Sequence, residues 1–145
     1  MFSKSELPRL QQQLTEYDKT REKLLELTRK TTRLASWAII QTHRTQLSKA
    51  KATLRDAEQA IGEIRKLLGE SSGFSQVGYV IVAFQEFAEA KVLFNFVTRQ
   101  RLLGQREIGV DWMPYMLGLL DFIGELRRIA IDQLKDGKLK EAQRT

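Results

Sequence analysis

Proline limits helix length more than any other residue, and this 145-residue chain has only two, Pro8 and Pro114. Neither interrupts a periodic apolar segment, so long helices are unobstructed between them. A first helix is expected from about Pro8 to His43, with Ser5 as its cap. Its inner face, Leu10, Leu14, Tyr17, Leu24, Thr28, Thr31, Ala35, Ala38 and Thr42, turns from large to small side chains, which admits a close neighbour. At about 1.5 Å per residue it reaches beyond about 50 Å, longer than a compact domain needs, and this points to assembly. The second helix, Ser48 to Leu68, alternates three- and four-residue steps through Leu47, Ala50, Leu54, Ala57, Ile61, Ile64 and Leu68, the seam of an antiparallel pair. Gly69 and residues 71–73 end it.

The third helix, Val77 to Thr98, is apolar on nearly all sides and must be covered on nearly all sides. Gly104 and Gly109 punctuate a short connection, and Asp111 with Pro114 opens a fourth helix from about Met113 to Lys135, ending near Gly137. Its middle is again apolar, with Gly118 and Gly124 offering close backbone approach, and a short polar tail follows. Neither an internal repeat nor strand alternation is present. The expected fold is all-α, an antiparallel bundle of about four long helices forming one domain over residues 1–145.

A composition 42% hydrophobic suffices for a core without staples, and no cysteine is available for disulfide or thiolate chemistry. The N-terminus has no signal-peptide pattern, and the longest apolar stretch, Val77 to Phe84, is too short to span a bilayer. A soluble, cytoplasmic protein is expected. The formal charge of +6 is unevenly spread: from Leu27 to Arg55 seven basic residues (Arg29, Lys30, Arg33, Arg44, Lys49, Lys51, Arg55) meet no acidic one, the pattern of a phosphate-facing surface. Trp37, Trp112 and the phenylalanines of the third helix read as core or subunit interface. His43, at the end of the first helix, reads as a phosphate contact or a C-terminal cap. Gly-rich phosphate loops, nucleophile elbows and zinc motifs are missing.

Glu86 and Glu89 are three apart and Asp121 and Glu125 four apart, so each pair lies on one face of an otherwise apolar helix. Carboxylates in such a setting must be paired, protonated or bound to a cation. Lys91, Arg127, Arg128 and Arg33 are available to neutralise them. A redox di-metal site would need Glu-x-x-His from two helices, and the chain has one histidine. An oxygen-only site for Mg²⁺ or Mn²⁺ is the third reading, beside neutralisation by those bases, and next to a basic track it matches phosphodiester hydrolysis.

Three segments also carry a family resemblance. Arg21 to Arg44 resembles the first-helix signature of the translin family, and FQEFAEA (Phe84 to Ala90) and YMLGLLDFIGELRR (Tyr115 to Arg128) resemble its two internal motifs. The resemblance implies the catalytic branch typified by translin-associated factor X, in its archaeal single-subunit form. It implies a metal-dependent endoribonuclease in which Glu86, Glu89 and Asp121 ligate Mg²⁺ (or Mn²⁺) and Glu125 ligates or orients the attacking water. Arg29, Lys30, Arg33 and Arg44 would hold RNA, or single-stranded DNA, with Arg127 and Arg128 nearer the scissile phosphate. It further implies a homo-oligomeric, usually octameric shell and no membrane partner. Family members normally continue past the equivalent of Gly137 with further helices, whereas this chain stops at Thr145. The competing readings are a non-catalytic single-stranded nucleic-acid-binding protein of the translin type and a pure scaffold.

Overall fold

The structure, a computed structural model, describes residues 6–70 and 77–143. Six helices follow in order: α1 (Glu6–His43), α2 (Leu47–Glu70), α3 (Gly78–Arg99), α4 (Gln105–Ile108), α5 (Trp112–Lys135) and α6 (Leu139–Ala142). No strand occurs among the described residues, and the all-α expectation holds. The four long helices start and stop within two residues of their expected ends. Ser5 and residues 71–73 lie outside the described residues.

Local chemistry accounts for the ends. Thr45 adopts φ 57° after α1, donating to Thr42 O at 3.0 Å, while the Gln46 amide donates to Gln41 O at 2.9 Å, a Schellman turn made without glycine. Gly137 closes α5 in the same way, with φ 76° and the Lys138 amide on Gln133 O. At the start of α4 the Glu107 carboxylate accepts the Gly104 amide and pairs with Arg101, and both contacts hold its pKa below the usual carboxylate range.

Helix α3 is the centre of the molecule. It packs on α1, α2 and α5, which is why its sequence is apolar nearly all round. The core joins Leu24 and Leu27 of α1, Ala57, Ile61 and Ile64 of α2, Phe84, Phe87, Ala88, Val92 and Leu93 of α3, and Phe122 of α5. The small-residue face of α1 is buried as expected, and Thr31 and Thr42 satisfy their hydroxyls on Leu27 O and Ala38 O one turn back. Phe122 meets Phe96 edge to face with centroids 5.5 Å apart. Phe122→Ala should therefore cost about 3–5 kcal/mol in denaturant unfolding.

The structure departs from the sequence reading in three respects. Leu10, Leu14 and Tyr17 are exposed, because α1 outruns its neighbours: its buried residues begin at Leu24, and Tyr17 and Arg21 come only within electrostatic reach of Tyr79 on α3. Of the two places expected for Trp37 and Trp112, core or subunit interface, the core is excluded, Trp112 being 65% exposed. The antiparallel arrangement holds for α1 with α2 and for α2 with α3, whereas α5 runs parallel to α3. Trp112–Pro114 share a recess with Val80–Phe84, Gly118 meets Gln85–Glu89, and Ile129 shares a cleft with Val97. The twelve residues 100–111, holding α4, make the return. At up to about 3.3 Å per residue they can match the roughly 33 Å length of α3. Tyr115 Oη donates to Leu103 O at 3.1 Å, and Arg65 of α2 bonds Gly109 O, tying that return to both sides.

Candidate metal centre and nucleic-acid interface

The parallel register brings the two acid pairs together. The means is Gly118, where a Cβ would stand 2.6 Å from Gln85 O and 3.0 Å from the Glu89 amide nitrogen, so only glycine lets α5 lie this close to α3. Gly124, expected to act likewise, has no atom within 4 Å of where its Cβ would be and plays no such part.

Glu89 is buried, at 7% exposure, while Asp121 is exposed at the rim and Glu86 and Glu125 are half-buried. Desolvation first, and then the charges of Glu86, Asp121 and Glu125, push the Glu89 pKa up from 4.5 to about 8. Burial and Asp121 raise Glu86 in the same sense. No Lys or Arg forms an ion pair with any of the four acids among the described residues. Lys91 instead reaches Glu58 at 3.4 Å and lies over the Phe87 ring, and Arg33, Arg127 and Arg128 are exposed.

Two neutral or weakly basic side chains steady the acids. Gln85 Nε2 donates to Asp121 Oδ2 at 2.6 Å, and His43 Nε2 contacts Glu125 Oε2. Each takes one carboxylate oxygen and leaves the other. No three His, Asp or Glu side chains among the described residues are gathered tightly enough to enclose an ion unaided. The donor set nevertheless suits a hard divalent cation: oxygen ligands only, mutually repelling, with no Lys or Arg countercharge in place.

The raised pKa fixes the sign of a pH effect. Between pH 4.5 and about 8 the folded chain retains a proton on Glu89 that the unfolded chain has released. Stability contributed below pH 4.5 is therefore lost progressively as pH rises through about 8. In melts of metal-free protein, Tm should fall by several degrees from pH 5 to pH 8, and Mg²⁺ or Mn²⁺ should reverse the fall at the alkaline end.

The basic residues form two regions. Arg29, Lys30 and Arg33 line a shallow recess that also holds Glu22 and Glu26, so helical spacing mixes signs where the linear run did not. Arg44 is exposed at the α1–α2 turn, and on α5 the spacing puts Arg128, rather than Arg127, on the face that bears Asp121 and Glu125. A second groove, of about 370 Å³, is lined by Lys51, Arg55, Lys91, Arg99 and Arg101 against Glu58 and Glu107. Arg99 and Arg101 escaped the sequence reading because they come from a separate helix and its following loop, while Lys91, expected as a countercharge for the acids, lines this groove instead. Gln85 escaped it too, although it stands four residues before Glu89, and His43, expected as a phosphate contact or a helix cap, stands beside the acids instead, at the end of the buried stripe Ala35, Ala38 and Thr42.

A helical bundle centred on an apolar helix, with four coupled carboxylates where it meets a parallel neighbour, is the class of protein defined here. Residues 19–145 match the Translin family, and the chain belongs to it. It is 33% identical over 133 residues to the uncharacterized protein MJ0175 of Methanocaldococcus jannaschii, an alignment covering 90% of this chain and 59% of that protein. This chain thus spans about three fifths of that relative's length. Among solved structures it is similar to AfC3PO in complex with duplex RNA (TM-score 0.83, 24% identity, 96% of this chain and 71% of that one). It is also similar to apo-NeC3PO (TM-score 0.78, 24% identity, 93% and 75%). At these identities the likeness establishes the fold. No described helix is long and apolar enough to cross a membrane.

Proposed function

We propose that the protein is a Mg²⁺- or Mn²⁺-dependent endoribonuclease of the translin-associated factor X type, acting on single-stranded or short structured RNA. The observation that carries this reading is the meeting of Glu86, Glu89, Asp121 and Glu125 between α3 and α5 without a Lys or Arg countercharge among the described residues. Glu86, Glu89 and Asp121 are the ligands, and Glu125 ligates or orients water. A divalent cation held by these acids would supply an activated water and would offset the charge that develops on the phosphodiester. The chain's own side chains do the rest: Gln85 fixes the rim carboxylate of Asp121, Arg128 meets the scissile phosphate, and the exposed bases of α1 and α2 hold the flanking backbone. The complex of AfC3PO with duplex RNA supports RNA as the ligand class. Homo-oligomerisation, octameric in the family pattern, would cover the exposed apolar residues Leu7, Leu10 and Leu14 of α1 and Met116, Leu120 and Ile123 of α5.

Asp121→Asn keeps shape and removes one negative ligand. With a labelled short RNA in Mg²⁺, cleavage should drop by about 100-fold or more, and unchanged cleavage would contradict the reading. The second reading, a non-catalytic nucleic-acid-binding protein, draws on the absence of a ready-made three-ligand cage among the described residues. It predicts steeply salt-dependent binding to RNA or single-stranded DNA with no cleavage in any metal.

A further inference from the structure

We infer that His43 is a positioning residue for the carboxylate site, holding Glu125 through Nε2 and leaving its second oxygen free. The inference rests on the metal reading of that site.

His43 is the last residue of α1, and its backbone is held on both sides. The Schellman turn at Thr45 closes the helix immediately after it, and Thr42 beside it is buried with its hydroxyl on Ala38 O. Glu125 sits on α5, whose main packing is against α3 rather than α1. The His43–Glu125 contact is thus a bridge from the end of α1 to the acid face of α5, made by side chains that are only 14% and 21% exposed. A glutamate has three side-chain torsions and, unrestrained, spreads over several rotamers. One hydrogen bond from an anchored imidazole removes most of that freedom and occupies Oε2 alone, leaving Oε1 available. That is the geometry by which an outer partner orients a ligand without itself touching the ion. The other side of the imidazole borders a cleft of about 310 Å³ whose lining mixes Val97 and Ile129 with Asp132, Asp136 and Lys138, so the ring is not enclosed by apolar packing.

Mn²⁺ titration of the full chain without RNA, by calorimetry or by the free-Mn²⁺ electron paramagnetic resonance signal, separates positioning from mere packing. His43→Phe keeps the ring and removes the donor; His43→Gln restores a donor nitrogen at similar reach. Loss of such an outer partner raises a metal Kd by about 10- to 100-fold, so His43→Phe should bind Mn²⁺ at least about tenfold more weakly and His43→Gln within about threefold of wild type. A partly unfolded variant lowers the number of sites filled and leaves the Kd of the folded ones unchanged; if His43→Phe does not fold, His43→Ala makes the same comparison. Equal affinity in wild type and the donor-less variant overturns the inference alone, as does equal weakening in both His43→Phe and His43→Gln. Absence of Mn²⁺ uptake by the wild type overturns the metal reading, and the inference with it.

Discussion

Gly118→Ala is expected to destabilise the protein by about 1–3 kcal/mol in urea unfolding, where Gly124→Ala on the same helix is expected to stabilise it by up to about 1 kcal/mol. In the helix interior both replacements gain the same intrinsic propensity, so the difference reports packing. At position 118 the new methyl would meet Gln85 O at 2.6 Å and the Glu89 amide nitrogen at 3.0 Å, both backbone atoms of a packed helix that cannot rotate aside. At position 124 it would meet nothing within 4 Å. Relief at Gly118 requires α5 to back away from α3, and that motion carries Asp121 and Glu125 away from Glu86 and Glu89. A displacement of an ångström at a reacting centre costs about 100-fold in rate, so any metal-dependent cleavage should fall with stability in Gly118→Ala and survive in Gly124→Ala. Equal stability of the two variants would show that the helices do not approach as closely as described.

Glu89→Gln is expected to improve the fold while it cripples the proposed metal-dependent cleavage. In metal-free protein at pH 8 the buried Glu89 must surrender its proton among three other acids, and the amide removes that penalty. Its Tm should then exceed that of wild type at pH 8, with the two curves converging near pH 5, where the wild-type carboxyl is protonated anyway. Cleavage of RNA in Mg²⁺ should, on the proposed reading, fall by about 100-fold or more, because the most buried of the four acids has been neutralised. A variant both more stable and inactive is the signature of a residue kept for function at the expense of stability. A Glu89→Gln protein that melts below wild type at pH 8 would instead mean that the carboxylate supports the fold.

Much of this architecture can be read from residue order. The two-proline sequence permits long helices, and the three-four stepping of α2 gives most of its buried face, Ala50, Leu54, Ala57, Ile61 and Ile64, while missing Ala60 and overreaching at the partly buried Leu47 and Leu68. The apolar surround of α3 marks it as central, and the acids of α3 and α5 stand out because each is a local violation of that pattern. What residue order hides is relative direction. The parallel register of α5 on α3 is set by residues 100–111, whose short α4, Glu107 cap and Tyr115–Leu103 contact have no long-range periodicity to announce them. Exposure of Leu10, Leu14 and Tyr17 is likewise illegible, since their stripe continues the buried one and only the lengths of the partner helices reveal where cover stops. The histidine was read against its own helix, as a cap or phosphate contact. Its partner, Glu125, lies 82 residues away, and no sequence spacing encodes that meeting.

The central claim is that these four carboxylates take up a divalent cation, and a crystal soaked in Mn²⁺ tests it most directly. The account predicts an anomalous difference peak between α3 and α5, bounded by Glu86, Glu89, Asp121 and Glu125, that disappears in Glu89→Gln. An ordered crystal with all four acids resolved and no anomalous peak between those helices would contradict it.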